Sequence, residues 1–321
     1  RRVDAARSVA KFRFFAEQVR ELEVERFEME DASNHVVMQP VGVAGLITPW
    51  NLPLYLLSWK IAPAIAMGNT VVAKPSELTP LTADLLARTL VDIGLPAGVV
   101  NIVHGYGHEA GQALTEHPDT RIISFTGGTA TGKIVASTAA PMFKKLSLEL
   151  GGKNSTIVFA DADMEKTVSG VARAGLLNQG QVCLCGSRIL VESSIYDQFL
   201  ADLCEHIEAM KLGDPSDENT ELGSLVSKEH RSKVESFIQI AKDEGGVICT
   251  GGKRPDFEGA FLEPTVISGL DIDSTCSTEE IFGPVVVVHP FDTEEQAVAI
   301  ANGVEYGLAA SVWTTDLEKG R

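Results

Sequence analysis

The chain has 321 residues, with 27 basic against 44 acidic side chains and a net charge of −17, and it exceeds the usual size of one compact domain. Two α/β units of roughly 150 residues each are therefore expected. The 44% hydrophobic and 22% charged residues exclude a disordered or low-complexity chain. The acidic charge repels phosphate backbones and anionic membranes, so small molecules are expected as partners, without nucleic acid or membrane.

The amino-terminal segment predicts a helix and then a two-stranded hairpin. Residues 3–19 carry apolar side chains at spacings that share one helical face. Residues 22–40 alternate glutamates with other residues around a polar turn at 31–34, which is typical of an exposed hairpin. No apolar signal core follows Arg1 and Arg2, so a secretory peptide is not indicated. The absence of an initiating methionine indicates truncation.

A repeating pattern of strands and helices begins at residue 41. The predicted strands are 41–48, 70–74, 99–103, 122–125 and 156–159, and the intervening predicted helices include 79–93 and 131–138. This alternation favours a parallel sheet covered by helices on both faces. The uncharged run 41–59 contains Pro49, Asn51 and Pro53, which favours a buried strand, a loop and a helix over a membrane span.

A second α/β unit is predicted after the first. It contains a strand at 188–191 and helices at 195–210 and 228–244. No linker rich in Ser or Pro divides the two units, so motif content places the boundary near residues 151–152. Residues 314–316 (TTD) predict the cap of a helix that the chain begins and does not finish.

Two glycine-rich turns are candidates for a phosphate site. Residues 105–110 (GYGHEA) have the form of a dinucleotide fingerprint, and residues 125–132 (FTGGTATG) also connect a predicted strand to a helix. Either turn could bind a pyrophosphate at the amino terminus of its helix. Glycines at such turns are also required sterically, and the pattern alone does not choose between the turns.

Cysteine usage and one acidic residue supply the candidates for chemistry. The five cysteines are Cys183, Cys185, Cys204, Cys249 and Cys276, an odd and scattered set that excludes a disulfide framework and fits a reducing, cytoplasmic compartment. Cys183 lies in a polar segment between a helix and a strand, where a nucleophile would be presented, although an inert thiol is the alternative. Neither the His104 and His108 pair nor the Cys183 and Cys185 pair has metal-ligand spacing, so no metal is expected.

Glu149 is the acidic residue within the apolar run 146–152 (LSLELGG). Burial there would raise its pKa and make it a candidate general base. A capping or hydrogen-bonding role is the alternative.

Six motifs occur together across nearly the whole chain and resemble the aldehyde dehydrogenase superfamily in order and spacing. They are 49–53 (PWNLP), 74–77 (KPSE), 125–127 (FTG), 148–153 (LELGGK), 180–183 (GQVC) and 279–284 (EEIFGP). The resemblance implies that amino- and carboxyl-terminal portions are missing. It also implies a Rossmann-like coenzyme domain (1–21 and 41–151), an oligomerisation hairpin (22–40) and a second α/β catalytic domain (152–321). A homo-oligomer, dimer or tetramer, is expected.

The resemblance implies covalent catalysis. The Cys183 thiolate attacks the aldehyde, and the Asn51 side-chain amide and the Cys183 backbone N–H hold the oxyanion. Hydride then passes to a nicotinamide, and Glu149 deprotonates the water that hydrolyses the thioester.

NAD is the cofactor that the resemblance implies. Trp50 is an expected contact, and Lys74 and Glu77 are expected at the adenosine ribose. Phe125, Gly127, Gly128 and Gly132 are expected near the pyrophosphate. Glu280 and Phe282 are expected around the nicotinamide ribose. This selects the second glycine turn. Glu77 would repel a 2′-phosphate, so NAD is expected in preference to NADP. Gly128 stands where the family usually has Ser, and Ser155 stands where Pro is common.

Residues 51–57 (NLPLYLL) and 181–185 (QVCLC) most resemble the branch that oxidises 2-aminomuconate and 2-hydroxymuconate semialdehydes. Such a substrate carries a carboxylate, for which Arg1, Arg2 and Arg7 are candidates, unless they only form a solvated helix start. A betaine-type or general aliphatic aldehyde dehydrogenase is the alternative, and a non-catalytic subunit is a further one. An enzyme that passes the thioester to coenzyme A is disfavoured, because that chemistry needs no base such as Glu149.

Overall fold

Two sheets, one in each half of the chain, organise the structure. The structure is a computed structural model, and it describes residues 2–23 and 25–320, without the side chains of residues 2 and 3. The first unit ends at Leu150 and the second begins at Gly151.

The first unit holds a five-stranded parallel sheet and a separate hairpin. Its strands are β1 (Arg26–Glu28), β2 (Ser33–His35), β3 (Val43–Ile47), β4 (Thr70–Lys74), β5 (Val100–Ile102), β6 (Thr120–Thr126) and β7 (Lys145–Glu149). Its α-helices are α1 (Arg2–Arg20), α2 (Pro53–Ala66), α3 (Leu81–Asp92), α4 (Gln112–Glu116) and α5 (Thr129–Ala139). The sheet order is β5-β4-β3-β6-β7 with all neighbours parallel, and β1 pairs with β2 in the antiparallel sense.

The core of the first unit lies against this sheet. Apolar residues of the central strands, including Leu46, Val71 and Ile123, are almost completely buried. Leu57 and Ile61 of α2 pack against the same strands. The predicted strands of the first unit and the hairpin are therefore confirmed, with small shifts in the strand ends. The hairpin turn is residues 29–32 rather than 31–34, because Ser33 and Asn34 belong to β2.

The amino terminus of helix α2 is capped by a residue that is distant in the sequence. Leu52 at its amino-terminal cap offers no side-chain hydrogen bond, so the first backbone N–H groups need another acceptor. The Asp4 carboxylate of α1 accepts from the N–H groups of Leu54 and Tyr55 at 3.2 and 2.9 Å. A carboxylate at this end also complements the helix dipole, so Asp4 links α1 to α2.

The second unit holds a six-stranded sheet. Its strands are β8 (Ser155–Val158), β9 (Arg188–Glu192), β10 (Val247–Thr250), β11 (Thr265–Ser268), β12 (Val285–Phe291) and β13 (Ala310–Trp313). Its α-helices are α6 (Met164–Leu176), α7 (Tyr196–Ala209), α8 (Lys228–Asp243), α9 (Thr275–Thr278) and α10 (Glu294–Asn302). The order is β10-β11-β12-β9-β8-β13, in which only β10 is antiparallel to its neighbour.

Residues 314–316 precede a single turn, 317–320, in which the Glu318 N–H donates to the Asp316 carboxylate and the Gly320 N–H to the Asp316 carbonyl. The polar groups of Thr314 and Thr315 contact Asp161. The Asp161 carboxylate accepts from both hydroxyls and from backbone N–H groups, and these hydrogen bonds hold the Asp161 pKa far below its usual value. The cap-like residues therefore serve a long-range contact.

None of the described helices combines the length and apolar character that crossing a membrane requires.

Arg188 joins the second sheet to helix α10. Its side chain is 2% exposed, and the two guanidinium nitrogens donate to the carbonyl oxygens of Ile300 and Ala301 at 2.8 and 2.7 Å. These carbonyls belong to the last turn of α10, where the Ile300 carbonyl also accepts from the Gly303 N–H at 3.0 Å. Arg188 therefore caps a helix from within the sheet.

Replacing Arg188 with Met should lower the free energy of unfolding by about 2–4 kcal/mol, because the buried Ile300 carbonyl and the partly buried Ala301 carbonyl lose charged donors. Arg88→Met is the matched control, since Arg88 is exposed and its ion pair with Asp84 is worth less than about 1 kcal/mol. Urea denaturation followed by circular dichroism measures both values. Equal losses for the two variants would contradict the capping role.

Candidate active site

The sequence-predicted residues divide between the two units. Each unit gathers its share at one edge of its sheet. In the first unit they follow the carboxyl ends of parallel strands, which meet at the same edge and are the usual location of ligand sites in such sheets. In the second unit they precede the amino ends of parallel strands.

Trp50 and Asn51 occupy the bend between β3 and α2, and both are half-buried. The Thr48 N–H donates to the Lys74 carbonyl at 3.1 Å, which extends the pairing of β3 with β4 up to this bend. Pro53 then starts α2, where its missing N–H costs no hydrogen bond. The main chain on both sides of Asn51 is thus fixed by regular structure.

Lys74 and Glu77 form an ion pair at the end of β4. The Lys74 ammonium is nearly buried and lies 2.8 Å from a Glu77 carboxylate oxygen. Burial acts to raise the Glu77 pKa, but the hydrogen bond and charge of Lys74 prevail, and the pKa is lowered. Glu77 is therefore an anionic hydrogen-bond acceptor whose position is set by Lys74.

The glycine turn after β6 leads directly into α5. A side chain at Gly127 would come within 2.5 Å of the buried Phe125 ring, and one at Gly132 would overlap Leu150. Gly128, the cap residue, has open space around it. The first turn of α5 has neither an acidic residue nor a side-chain cap, so its N–H groups remain available to an anion.

The earlier glycine turn, residues 105–110, has a different structure. It enters a π-helical turn at Gly107–Gly111 and then the five-residue helix α4. Helix α5 is longer, with 11 residues. Because the helix dipole grows from aligned peptide groups, the second turn is the better anion site.

Glu149 is exposed at the end of β7, so the expectation that it is buried is wrong. The reason is that β7 lies at the edge of the sheet and pairs only with β6. The charge of Glu149 acts on Lys60 of α2. Burial lowers the Lys60 pKa to about 8, although Glu149 opposes that shift, and the ammonium donates to Ser124 Oγ at 2.7 Å.

Cys183 lies in a turn before β9, and its side chain is half-buried. The Cys185 N–H donates to the Val182 carbonyl at 3.0 Å and closes the turn. The Asn154 side chain donates to the carbonyls of Cys183 and Cys185 at 2.6 and 3.0 Å. Gln181 accepts from the Val226 N–H at 3.0 Å. Side-chain hydrogen bonds therefore hold a segment that lacks regular secondary structure.

Cys185 differs from Cys183 in its surroundings. It is 6% exposed, and its thiol points to the Leu177 carbonyl at 3.7 Å. Burial raises the pKa of the Cys185 thiol to about 12, so it stays protonated near neutral pH. Of this pair of thiols, the surroundings favour Cys183 as the reactive one.

Residues 279–284 precede β12 and pack against the Cys183 segment. Asn178 and Gln179 adopt left-handed backbone angles, φ 54° and 56°, and Gly180 follows at φ 68°. A side chain at Gly180 would overlap the Gly283 carbonyl, so only glycine fits. Phe282 is also left-handed, at φ 61°, and its carbonyl accepts from His230 Nε2 at 2.7 Å.

Glu280 reaches back to the glycine pair that follows β7. The Gly152 N–H donates to a Glu280 carboxylate oxygen at 3.0 Å, and a side chain on Gly151 would lie 2.5 Å from that carboxylate. Burial raises the Glu280 pKa, although the Gly152 hydrogen bond opposes the shift. Glu280 and Phe282 thus lie beside the Cys183 segment in the second unit.

Four residues of these surroundings were not singled out from the sequence: Lys60, Asn154, Gln181 and His230. Lys60 had a signal, because it is the one charged residue of α2. Asn154 directly follows the motif 148–153 and Gln181 lies within the motif 180–183, but no sequence pattern indicates that either residue has a function. Among the described residues, no three His, Cys, Asp or Glu side chains are grouped so as to hold a metal.

The family model for the aldehyde dehydrogenase family matches residues 1–321. The chain belongs to the aldehyde dehydrogenase family. It is 51% identical to 2-aminomuconic semialdehyde dehydrogenase of Danio rerio, covering 99% of this chain and 67% of that protein. It is 46% identical to 2-hydroxymuconic semialdehyde dehydrogenase of Pseudomonas sp. strain CF600, covering 99% and 68%. The chain thus spans about two thirds of these relatives.

The fold is also that of solved aldehyde dehydrogenases. The crystal structure of betaine aldehyde dehydrogenase from Staphylococcus aureus in complex with NAD+ matches with a TM-score of 0.97 and 43% identity, covering 99% of this chain and 64% of that chain. The predicted α/β fold, the family and its oxidoreductase class are therefore confirmed.

The high pKa of Cys185 gives a prediction about alkylation. At pH 8 the folded chain should react with iodoacetamide at Cys185 about a thousandfold more slowly than an ordinary cysteine, in proportion to its thiolate fraction. Mass spectrometry of peptides after timed labelling measures the rate. In urea, Cys185 should react like the other cysteines, and equal rates in folded and unfolded chains would contradict the assignment.

Proposed function

We propose that the complete protein oxidises an aldehyde to a carboxylic acid with NAD, and that Cys183 is its nucleophile. The observation that carries this proposal is the presentation of Cys183 on a hydrogen-bonded turn, while the nearby Cys185 is buried and protonated. Family membership supplies the reaction class. A non-catalytic subunit is disfavoured because Cys183, Glu149 and Asn51 are all present.

The proposed chemistry begins at the Cys183 thiolate, which adds to the aldehyde carbon. The Asn51 amide and the Cys183 N–H donate hydrogen bonds to the resulting oxyanion, and a neutral amide does so without a charge that would trap it. Loss of hydride from the carbon leaves a thioester on Cys183. Glu149 removes a proton from the water that hydrolyses it, and its exposure suits a base that returns its proton to solvent.

NAD is the hydride acceptor when it is bound, and the first unit has groups suited to bind its pyrophosphate and adenosine ribose. Helix α5 offers free N–H groups and an uncrowded Gly128 to a pyrophosphate. Glu77, held by Lys74, can accept from ribose hydroxyls, while its charge opposes a 2′-phosphate. Trp50 and the Gly127–Gly132 turn complete this proposed half, and Glu280 and Phe282 form the nicotinamide-ribose half.

The proposed substrate is a muconic-type semialdehyde. The similarity to 2-aminomuconic and 2-hydroxymuconic semialdehyde dehydrogenases supports this class. Arg1 and the side chain of Arg2 lie outside the described residues, and Arg7 is exposed over the Tyr55 ring, 5.4 Å from its centroid. An arginine of α1 is proposed to bind the substrate carboxylate. The structural match to betaine aldehyde dehydrogenase keeps a betaine-type aldehyde as the second candidate.

Domain roles and assembly are part of the same proposal. Residues 1–21 and 41–151 are proposed as the NAD-binding domain, residues 152–321 as the catalytic domain, and residues 22–40 as an oligomerisation arm. The arm exposes several large apolar side chains, among them Phe27, Met29 and Val37, which supports homo-oligomer formation. A cytoplasmic location is proposed from the cysteine pattern.

Two variants of the full-length protein should separate the chemical steps. Cys183→Ser should abolish turnover but retain NAD binding, because a serine hydroxyl without a dedicated base cannot replace the thiolate. Glu149→Gln should release about one equivalent of NADH and then stall as the thioester. Stopped-flow absorbance measures the burst, and mass spectrometry locates the acyl group.

Cys185→Ser is the matched control and should retain nearly full turnover. An acyl group on Cys185, or undiminished steady turnover by Glu149→Gln without an adduct, would refute the assignments.

The substrate class predicts a preference among aldehydes. The full-length protein should show at least about tenfold higher kcat/KM for muconic semialdehydes than for aliphatic or betaine aldehydes, because an arginine–carboxylate pair adds a charge-assisted bond. Arg2→Gln and Arg7→Gln test the candidate arginines, with Arg20→Gln in the last turn of α1 as control. Equal efficiency with aliphatic aldehydes would exclude the muconic-type substrate.

A further inference from the structure

Asn154 has every polar group of its side chain engaged. The residue is 4% exposed and directly precedes β8. Its Nδ2 donates to the carbonyls of Cys183 and Cys185, and its Oδ1 accepts from the Ala309 N–H at 2.9 Å. Only one orientation of the amide satisfies all three contacts, because two acceptors face one end and a donor faces the other.

The two carbonyls belong to the turn that carries the candidate nucleophile. Val182 and Cys185 close this turn through a backbone hydrogen bond of 3.0 Å, and Cys183 lies within it. Asn154 therefore holds the main chain both at Cys183 and just after it. The direction of the Cys183 side chain follows from this main chain, since no strand or helix supports it.

Gly152 lies close to the Cys183 carbonyl. A Cβ atom at Gly152 would lie 2.6 Å from the Cys183 carbonyl oxygen and 3.0 Å from Asn154 Oδ1. The Cys183 carbonyl, the Asn154 amide and the space that glycine leaves free thus meet at one point. A shift of the carbonyl away from the Asn154 amide loses a hydrogen bond, and a shift toward Gly152 brings it against main chain.

We propose that Asn154 is a positioning residue for Cys183, which it holds in the attack geometry through the Cys183 and Cys185 carbonyls. The inference rests on the proposed function, in which Cys183 is the nucleophile. Asn154 acts through the turn and touches neither substrate nor cofactor in this role. Loss of the Asn154 amide removes one hydrogen bond from each of the two carbonyls, and the turn is then free to shift.

The test measures the NADH burst of the full-length enzyme with Asn154→Ala and Asn154→Asp. Both variants should lower the burst rate constant on the order of 10- to 100-fold, since a displacement near 1 Å has that effect on a reacting group. Asn154→Asp keeps the side-chain volume but faces carbonyl oxygens with an acceptor, so it should be at least as slow as Asn154→Ala. The Kd for NAD should be unchanged.

The rate constant separates positioning from a merely structural role. A loss of folded enzyme lowers the burst amplitude, whereas a displaced nucleophile lowers the rate constant of the sites that remain. Asn101→Ala is the matched control, because Asn101 also donates to two carbonyls, of Val71 at 3.1 Å and Gly98 at 2.9 Å. It should keep the wild-type rate constant.

A wild-type rate constant in Asn154→Asp would overturn the inference. If the Asn154 variants do not fold, Gly152→Ala displaces the same carbonyl and should be similarly slow, and a normal rate there would overturn the inference instead. The proposed function has its own test: an NADH burst from Cys183→Ser would show that Cys183 is not the nucleophile. If Cys183→Ser gives no burst and Asn154→Asp keeps the wild-type rate constant, only the positioning role is refuted.

Discussion

Parallel strand pairing is the constraint that groups the candidate residues within each unit. A parallel ladder aligns strand ends, so segments distant in sequence meet at one edge. In the first unit, Ile47 pairs with both Lys74 and Phe125, which places the segments after β3, β4 and β6 side by side. In the second unit, β12, β9 and β8 are adjacent, and the segments that precede them bring Glu280, Cys183 and Asn154 together.

Sequence periodicity predicted several elements with a local signal, although strand β12, with its run of valines 285–288, was not among them. Strand β4 was predicted at the bounds observed, and α8 within one residue. The exposure of Glu149 was not predictable from its apolar neighbours, because position at a sheet edge depends on strand order. Strands β10 and β13 were not predicted; both also lie at sheet edges, and none of their residues is fully buried. The contact of residues 314–316 with Asp161 crosses more than 150 positions, beyond any local pattern.

Motif resemblance identified the candidate residues of the site more completely than physical reasoning from single residues. Several motif glycines are explained by packing alone, since neighbouring atoms occupy the space of a side chain at Gly127, Gly132 and Gly180. The motifs therefore contain glycines required by close backbone packing as well as residues proposed for catalysis or cofactor binding. Asn154 shows the limit of both approaches, because its role depends on three contacts with residues 29 to 155 positions away.

The left-handed run at residues 178–180 has a consequence for local motion. Each non-glycine residue in that region costs about 1–2 kcal/mol, so Asn178 and Gln179 store strain that surrounding contacts must offset. The close approach of Gly180 to Gly283 and the hydrogen bonds of Gln181 provide those contacts. Once they break, the strain favours release of the whole segment. Hydrogen exchange along residues 178–186 should therefore occur as one cooperative opening, so that the protection of these amides rises and falls together.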